Sequence, residues 1–224
     1  MSTLDPTDWS SLRALGHQML DDMMDHLASI RTQPVWQKMP EDVRQGFTAP
    51  LPTTGTPPEA IYERFQADIQ PYVTGNLHPR FMGWVHGGGN PVSMLAELLA
   101  GAMNANCGGR DHVGIAVERQ VIAWAAQMLG MPAGTSGVLL TGSSMANFCA
   151  LLCARQKALG EAGHETGVSF SKLVAYASAG VHRCVTGAMD MAGLGRAALR
   201  KIPLDAQMRM DMAALRVQRD FAQG

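Results

Sequence analysis

Two serines in this sequence stand where a folded chain could hold an anion. An apolar run at 138–140 breaks at Thr141 and Gly142, and Ser143 and Ser144 then begin an alanine-rich stretch typical of a helix. Hydroxyl groups and unpaired N–H groups at a helix N-terminus attract negative charge, so this turn could bind a phosphate. The lysine of a P-loop and the glycine pattern of a dinucleotide-binding turn are both missing, which argues against a nucleotide. Simple N-capping by the serines is the competing interpretation.

A histidine could add proton chemistry beside this turn. His182 follows the apolar run at 172–178. The carboxyl ends of parallel strands meet at one edge of a sheet, so His182 is expected at the same edge as the serines. A structural histidine held by hydrogen bonds is the alternative. Cys149 and Cys153 share a helix face, but no matching histidine or carboxylate pair accompanies them, and we predict no metal site.

Composition and charge exclude several classes of partner. The 224 residues include 18 Lys+Arg and 19 Asp+Glu, a net charge of -1, with no run of like charges. We therefore predict binding neither to nucleic acid nor to a membrane. The polar N-terminus and the four cysteines (Cys107, Cys149, Cys153 and Cys184), none in a CxxC pair, predict a reduced, cytoplasmic protein. The weakly charged segment 87–109 is too interrupted to span a bilayer.

The elements that must position these residues change in character along the chain. Apolar residues recurring every three to four positions predict helices at 10–30, 94–103 and 115–129. Another helix is predicted to start with a capping box, in which Thr56 is the N-cap and Glu59 reaches back to it, with Pro57 at the first helical position and Pro71 close to the end. The first helix must bury its apolar stripe either on its own chain or on a second subunit.

Short strands alternate with helices in the rest of the chain. Strands are predicted at 138–140, 172–177 and 199–203, each followed by a helix, the last from about Met212. This alternation is typical of a parallel sheet with right-handed crossovers. The sequence thus predicts an α/β fold with an N-terminal helical extension. The loop at 76–91, rich in aromatic residues and glycine, is of a kind that often lines sites.

Six ordered blocks of sequence resemble a known enzyme family. They are HPRFMGW (78–84), NPVSMLAELLAGAMN (90–104), VERQVIAWAAQMLGMP (117–132), GVLLTGSSMANFCALLCAR (137–155), LVAYASAGVHRCV (173–185) and IPLDAQMRMDMAAL (202–215). In order and spacing they resemble the pyridoxal-phosphate-dependent group II amino-acid decarboxylases, the family of aromatic-L-amino-acid and glutamate decarboxylases. The resemblance covers the chain from about Trp9 onward.

This resemblance implies a fold, a cofactor and roles for particular residues. The fold would be that of the type I pyridoxal-phosphate-dependent transferases, a parallel-rich sheet with flanking helices, in a homodimer. Residues 1–75 would form the helical segment that packs across the dimer, and 76–224 the N-terminal part of the large cofactor-binding domain. Ser143 and Ser144 would bind the phosphate of pyridoxal phosphate, and His182 would stack on its ring and help to handle protons as a catalytic residue. His78 and Phe81 would lie in a substrate-binding loop.

The family's Schiff-base lysine, and the aspartate that pairs with the pyridine nitrogen, match no residue of this chain. The four lysines stand in none of the matching sequence contexts; they are Lys38, Lys157, Lys172 and Lys201. The resemblance therefore implies an incomplete large domain, truncated before the catalytic lysine. We expect a chain that is inactive alone, either a fragment or one half of a split enzyme completed by a C-terminal half.

The expected family activity is the decarboxylation of an α-amino acid, a carbon–carbon lyase reaction on a small-molecule substrate. Which amino acid is used stays open. One alternative is a non-catalytic module that binds pyridoxal phosphate or serves in protein interaction. Another is a different type I pyridoxal-phosphate lyase, similar to sphingosine-phosphate lyase, acting on a phosphorylated amino alcohol. The HPRF block favours the decarboxylase.

Overall fold

The computed structural model describes residues 5–106, 111–168 and 171–221. The chain divides into two compact units, Met1–Asn106 and Cys107–Gly224. The boundary predicted between residues 75 and 76 was drawn from the matched sequence blocks, whereas these units are defined by contacts within the folded chain. That boundary stays a prediction. Within the described ranges, no helix combines the length and apolar character needed to cross a bilayer.

Helices make up the regular structure described in the first unit. They are α1 (Trp9–Ser29), α2 (Glu41–Gly46), α3 (Pro58–Arg64) and α4 (Pro91–Met103). Helices α1 and α4 confirm the predictions for 10–30 and 94–103. The Asp8 side chain caps α1 by accepting from the Ser10 N–H, and the Asn90 side chain caps α4 by accepting from the Ser93 N–H at 2.9 Å. Residues 73–90 carry no regular element, as the prediction of a loop requires.

The start of α3 differs from the predicted capping box. Its N-cap is Pro57, with an extended backbone (φ -55°, ψ 141°), and no side chain closes the cap. The helix begins one residue later than predicted, so Thr56 lies outside the cap position and the capping box is wrong. The helix itself is confirmed. It continues through a π turn and a 3-10 turn to Tyr72, which places Pro71 close to the end of the helical segment as predicted.

Helices α1 and α3 meet through a small polar network. The Tyr62 hydroxyl donates to Oδ2 of Asp22 at 2.8 Å, and Nε2 of Gln66 donates to the same oxygen at 3.0 Å. Tyr62 is almost fully buried. Its burial, together with the hydrogen bond to the Asp22 carboxylate, raises the pKa of Tyr62 to about 12. The network therefore fixes one face of α1 against α3.

The second unit alternates helices with two short strands. In chain order its elements are α5 (Val113–Met128), α6 (Ser143–Leu159), α7 (Glu161–Glu165), β1 (Ala175–Ser178), α8 (Arg183–Met191), β2 (Leu199–Ile202) and α9 (Met212–Phe221). Helix α5 confirms the helix predicted at 115–129, and Gly130 follows it with a φ of 63°, the left-handed conformation that commonly ends a helix.

Strands β1 and β2 pair in parallel, which confirms the predicted sheet type. The register runs from Ala175 opposite Leu199 to Ser178 opposite Ile202. Helix α8 packs against α6. The buried apolar residues of this unit lie on or beside α8 and on β2: Ala188, Met189, Ala192, Leu199 and Ile202. Helices around a parallel strand pair confirm the α/β class.

The first of the three predicted strands, at 138–140, is wrong. The segment belongs to no strand, and within the residues described nothing pairs with it. Val138 and Leu139 are exposed, by 61% and 60%. A strand requires hydrogen bonds to a neighbouring strand, whereas the Leu139 N–H donates to Oε1 of Glu118 on α5 at 3.0 Å.

Candidate functional site

The N-terminus of α6 is the predicted phosphate turn. Gly142 is the N-cap, with φ 97° and ψ 165°, a conformation that strongly favours glycine. Space around the turn is open, because a Cβ built on Gly142 meets no atom within 4 Å. Ser143 and Ser144 follow as the first two exposed residues of a 17-residue helix. Their hydroxyl and N–H groups therefore lie at the positive end of the helix dipole.

The structure argues against one of the two interpretations of these serines. Gly142 occupies the N-cap position and has no side chain, so no side chain caps α6. Neither Ser143 nor Ser144 is the capping residue, and simple N-capping does not explain them. An uncapped helix start with adjacent hydroxyls matches what a phosphate group needs, namely several hydrogen-bond donors beside a partial positive charge.

His182 lies between β1 and α8 and is itself the N-cap of α8. Its Nδ1 accepts from the Cys184 N–H at 3.2 Å. An imidazole nitrogen that accepts a hydrogen bond carries no proton, so the neutral ring carries its proton on Nε2. The residue is exposed. The fold thus fixes one ring nitrogen of His182 and leaves the ring itself accessible.

Asn147 connects the serine turn with the histidine turn. Its Nδ2 donates to the Ser143 carbonyl oxygen at 2.9 Å and to Sγ of Cys184 at 3.7 Å. Ser143 and Ser144 are therefore linked to the segment of His182 through side chains of α6 and α8. Asn147 and Cys184 were not among the residues predicted from the sequence to form the site. The spacing of four residues between Ser143 and Asn147 is a sequence signal for the contact between them. No local signal indicates the contact between Asn147 and Cys184.

The first unit contains the two residues predicted to bind substrate. His78 is 4% exposed, its Nδ1 accepts from the Arg80 N–H at 3.0 Å, and its Nε2 is buried with no hydrogen-bond partner among the described residues. It lies in the wall of a cavity of about 1190 Å³ that α1 also lines. The geometry of His78 is that of a residue that orders its loop.

Phe81 belongs to a group of three rings in the same loop. Its ring centroid lies 6.4 Å from that of Trp84 and 5.7 Å from that of His86, and the Trp84 and His86 rings stack at 5.6 Å. Trp84 is 81% exposed. The loop was predicted from the sequence, but the participation of His86 was not. We call Phe81, Trp84 and His86 the aromatic group; Trp84 and His86 are exposed, and Phe81 is half-buried.

The cysteines show no metal-site geometry in the described part of the chain. There, no three or more His, Cys, Asp or Glu side chains come together as metal ligands. Cys149 is half-buried and Cys153 is exposed, and both are free thiols. Cys107 lies outside the described residues.

Comparison with known proteins gives one family. Residues 40–224 match the family model of the pyridoxal-dependent decarboxylase conserved domain. The aromatic-L-amino-acid decarboxylase of Sus scrofa is 32% identical, and the match covers 96% of this chain and 47% of that protein. The Bacillus atrophaeus enzyme of the same name is 28% identical over 215 residues, or 92% of this chain and 42% of the relative. The chain thus spans about half the length of the curated relatives it matches.

Solved structures agree in fold. The structure of Catharanthus roseus tryptophan decarboxylase in complex with L-tryptophan is 26% identical, with a TM-score of 0.81 over 99% of this chain and 50% of the other. The glutamate decarboxylase domain of a Vibrio parahaemolyticus protein is only 18% identical, yet its TM-score is 0.82 over 100% of this chain and 50% of the other. The latter similarity shows the fold alone.

The residues present fit the family's cofactor. Pyridoxal phosphate carries a phosphate group, and the uncapped start of α6 offers the hydroxyl and N–H donors of Ser143 and Ser144 in open space. Acidic side chains are absent from the first turn of that helix. With the match over residues 40–224 and the shared type I fold, the chain belongs to the pyridoxal-dependent decarboxylase family, whose cofactor is pyridoxal phosphate.

Proposed function

We propose that this chain binds the phosphate of pyridoxal phosphate at Gly142, Ser143 and Ser144 and contributes His182 to the decarboxylation of an α-amino acid. One observation carries the proposal: α6 begins at a glycine with no side-chain cap, with two exposed hydroxyls at its first two positions. The family match supports the reaction class, a carbon–carbon lyase reaction.

The serine turn supplies binding and orientation. Backbone N–H groups at the start of α6 and the two serine hydroxyls donate to phosphate oxygens, and the helix dipole adds attraction for the negative charge. Hydrogen bonds to a charged group contribute about 1.5–3 kcal/mol each, so the hydroxyls are expected to account for a measurable part of the affinity. Anchoring the phosphate fixes the position of the rest of the cofactor relative to α6.

His182 supplies an imidazole ring whose neutral form carries its proton on Nε2. When bound, pyridoxal phosphate provides the electron sink for cleavage of the bond to the substrate carboxylate. The Cys184 N–H occupies Nδ1 of His182, which leaves Nε2 as the atom that holds or delivers a proton. In the proposed site the exposed imidazole of His182 would contact the cofactor ring.

The aromatic group is proposed to contact the substrate side chain. Its rings present faces on which another aromatic ring can stack, which favours an aromatic amino acid as the substrate. Tryptophan and other aromatic amino acids are named for the relatives in Catharanthus roseus and Sus scrofa. His78, with one nitrogen bound to its own loop, is proposed to order Phe81 and its neighbours, and its direct contact with substrate stays a prediction.

Assembly as a homodimer is part of the proposal, as is a cytoplasmic location. Helix α1 exposes Trp9, Leu12 and Met19. Within the first unit, α1 and α4 also line an apolar groove of about 460 Å³. These apolar faces favour the alternative in which the first helix packs on a second subunit. Sedimentation of the purified chain over a concentration series tests the dimer.

An absorbance titration of the purified 224-residue chain with pyridoxal phosphate tests the cofactor site. We expect the double variant Ser143→Ala/Ser144→Ala to raise Kd at least about tenfold, because two hydrogen bonds to phosphate are lost. Ser93→Ala is the matched control, since Ser93 is an exposed serine in the first turn of α4, where Asn90 caps the helix. Equal affinity of the double variant and the parent chain would refute the proposal.

Borohydride trapping followed by mass mapping tests the expectation that no lysine of this chain forms the Schiff base with the cofactor. We expect no specific adduct on Lys38, Lys157, Lys172 or Lys201, and a specific adduct on one of them would overturn that expectation. Substrate assays test the two enzymatic alternatives. Release of carbon dioxide from an amino acid supports the decarboxylase, and activity on a phosphorylated amino alcohol supports the sphingosine-phosphate-lyase-like alternative. Reversible binding without turnover is expected both of the binding module and of a decarboxylase chain that is inactive alone, and turnover after addition of a C-terminal half separates these two.

A further inference from the structure

We propose that Asn147 is a positioning residue that holds His182 in place through Cys184 and ties it to the phosphate turn at Ser143. The functional meaning of this bridge rests on the proposed function of Ser143, Ser144 and His182. The contact itself stands on the geometry of α6 and α8.

The first half of the bridge is the side chain of Asn147. A primary amide has two N–H donors on one nitrogen. Nδ2 of Asn147 donates to the Ser143 carbonyl oxygen at 2.9 Å, one turn earlier in α6. This bond fixes the amide against its own helix, and the second contact of Nδ2, at 3.7 Å, is to Sγ of Cys184. Asn147 therefore reaches α8 from a position set by the phosphate turn.

The second half of the bridge is Cys184. Its sulfur receives the contact from Asn147, and its own N–H donates to Nδ1 of His182 at 3.2 Å. Cys184 is half-buried and lies in the first turn of α8, so its position sets the direction of that N–H. Moving Cys184 changes the hydrogen bond that its N–H donates to the imidazole. Asn147 thus acts on the ring without touching it.

Hydrogen exchange of the Cys184 amide in the ligand-free chain tests the bridge. We expect Asn147→Ala to lower the protection factor of that amide about five-fold, the factor that corresponds to loss of one typical hydrogen bond. Cys184→Ala should act similarly, and Cys184→Ser should keep protection near the parent value because its hydroxyl still accepts from Asn147. The ¹⁵N signals of the His182 ring should shift in Asn147→Ala and in Cys184→Ala, but not in Cys184→Ser.

Two controls separate positioning from general loosening of the fold. Gln156→Ala removes a hydrogen bond at the far end of α6, where Nε2 donates to the Gly160 carbonyl oxygen at 2.7 Å, and should leave His182 unchanged. The amide of Met189, inside α8, should keep its protection in Asn147→Ala. A double variant of Asn147 and Cys184 to Ala should be no worse than either single variant. Cys184 protection unchanged in Asn147→Ala, or a double variant with multiplied effects, would overturn the bridge.

Addition of inorganic phosphate separates the bridge from the proposed function. In the parent chain, phosphate should shift the amide signal of Ser144 and also the ring signals of His182. In Asn147→Ala the Ser144 shift should remain and the His182 shift should be lost. Absence of any Ser144 shift in the parent chain would refute the phosphate site, whereas equal His182 shifts in both chains would overturn the positioning role of Asn147.

Discussion

Nη1 of Arg155, on α6, donates to the carbonyl oxygen of Ala192, the C-cap residue of α8, at 2.6 Å. Near the other ends of the same helices, Asn147 contacts Cys184. Both contacts join residues 37 positions apart, so α6 and α8 run in the same direction and are tied at both ends. The Arg155 cation also lies at the negative end of the α8 dipole, where positive charge is stabilising.

Replacing Arg155 by Met should weaken this helix pair. The variant loses the charged hydrogen bond to Ala192, and we expect the free energy of unfolding to fall by about 1–3 kcal/mol. Urea unfolding followed by circular dichroism measures the change. Arg216→Met, at an exposed position on α9, is the control and should stay within about 0.5 kcal/mol of the parent chain. Equal unfolding of Arg155→Met and the control would show that the contact adds no stability.

Tyr62 should make stability depend on alkaline pH. Burial, and then its bond to Asp22, raise the pKa of Tyr62 from 10.0 to about 12. Between these values the folded chain keeps a proton that the unfolded chain loses, so folding is favoured below pH 10.0 and this contribution is lost as pH rises through about 12.

Urea unfolding at a series of pH values from neutral to strongly alkaline measures this dependence. Tyr62→Phe removes the ionisable group and should flatten the stability profile over that range. Tyr72→Phe, with a half-buried tyrosine nearby, is the control and should keep the slope of the parent chain. A profile for Tyr62→Phe as steep as that of the parent would contradict the assignment.

Asn90 and Thr56 should respond differently to replacement by alanine. Asn90→Ala removes the side-chain oxygen that accepts from the Ser93 N–H, and we expect a loss of about 1 kcal/mol. Thr56→Ala should cost no more than about 0.5 kcal/mol, because Thr56 is exposed and lies outside the cap position of α3. Thermal unfolding of the two variants side by side measures the difference. A larger loss from Thr56→Ala would restore the capping box.

Ile202 should be among the most sensitive positions of the second unit. It is 0% exposed at the end of β2, opposite Ser178 of β1. Truncation to Ala leaves a cavity and should cost about 2–5 kcal/mol, and the smaller change to Val about 0.5–1.5 kcal/mol. Val217→Ala, at a side chain that is 58% exposed, is the control. Chemical unfolding of the Val variant keeps the test valid if the Ala variant does not fold, and a Val variant as stable as the control would contradict it.

Features set by neighbouring residues could be predicted from the sequence. The period of apolar residues in α1 and α5 is a local property, and so is the left-handed glycine after α5. The turn before α6 was also identifiable, because Gly142 and the two serines after it are contiguous. The capping box failed because Thr56 and Pro57 compete for one position, and proline fixes the backbone just before the helix.

Features that depend on distant residues could not be predicted. The run at 138–140 has the composition of a strand, but pairing is a property of a neighbour, and here Glu118 takes the Leu139 N–H instead. The contact between Asn147 and Cys184 joins two helices that packing brings together, and neither residue carries a local signal for the other. The sequence predicted that the serine turn and His182 lie at one edge, but the side chains that join the two turns became visible only in the folded chain.

The exposed apolar side chains before α6 also have a thermodynamic consequence. The heat-capacity change of unfolding arises mainly from apolar surface that water reaches for the first time. Val138 and Leu139 already face water in the folded chain, so unfolding adds little to their hydration. The segment therefore contributes little to the curvature of the free energy of unfolding with temperature. Burying these two side chains would increase that curvature.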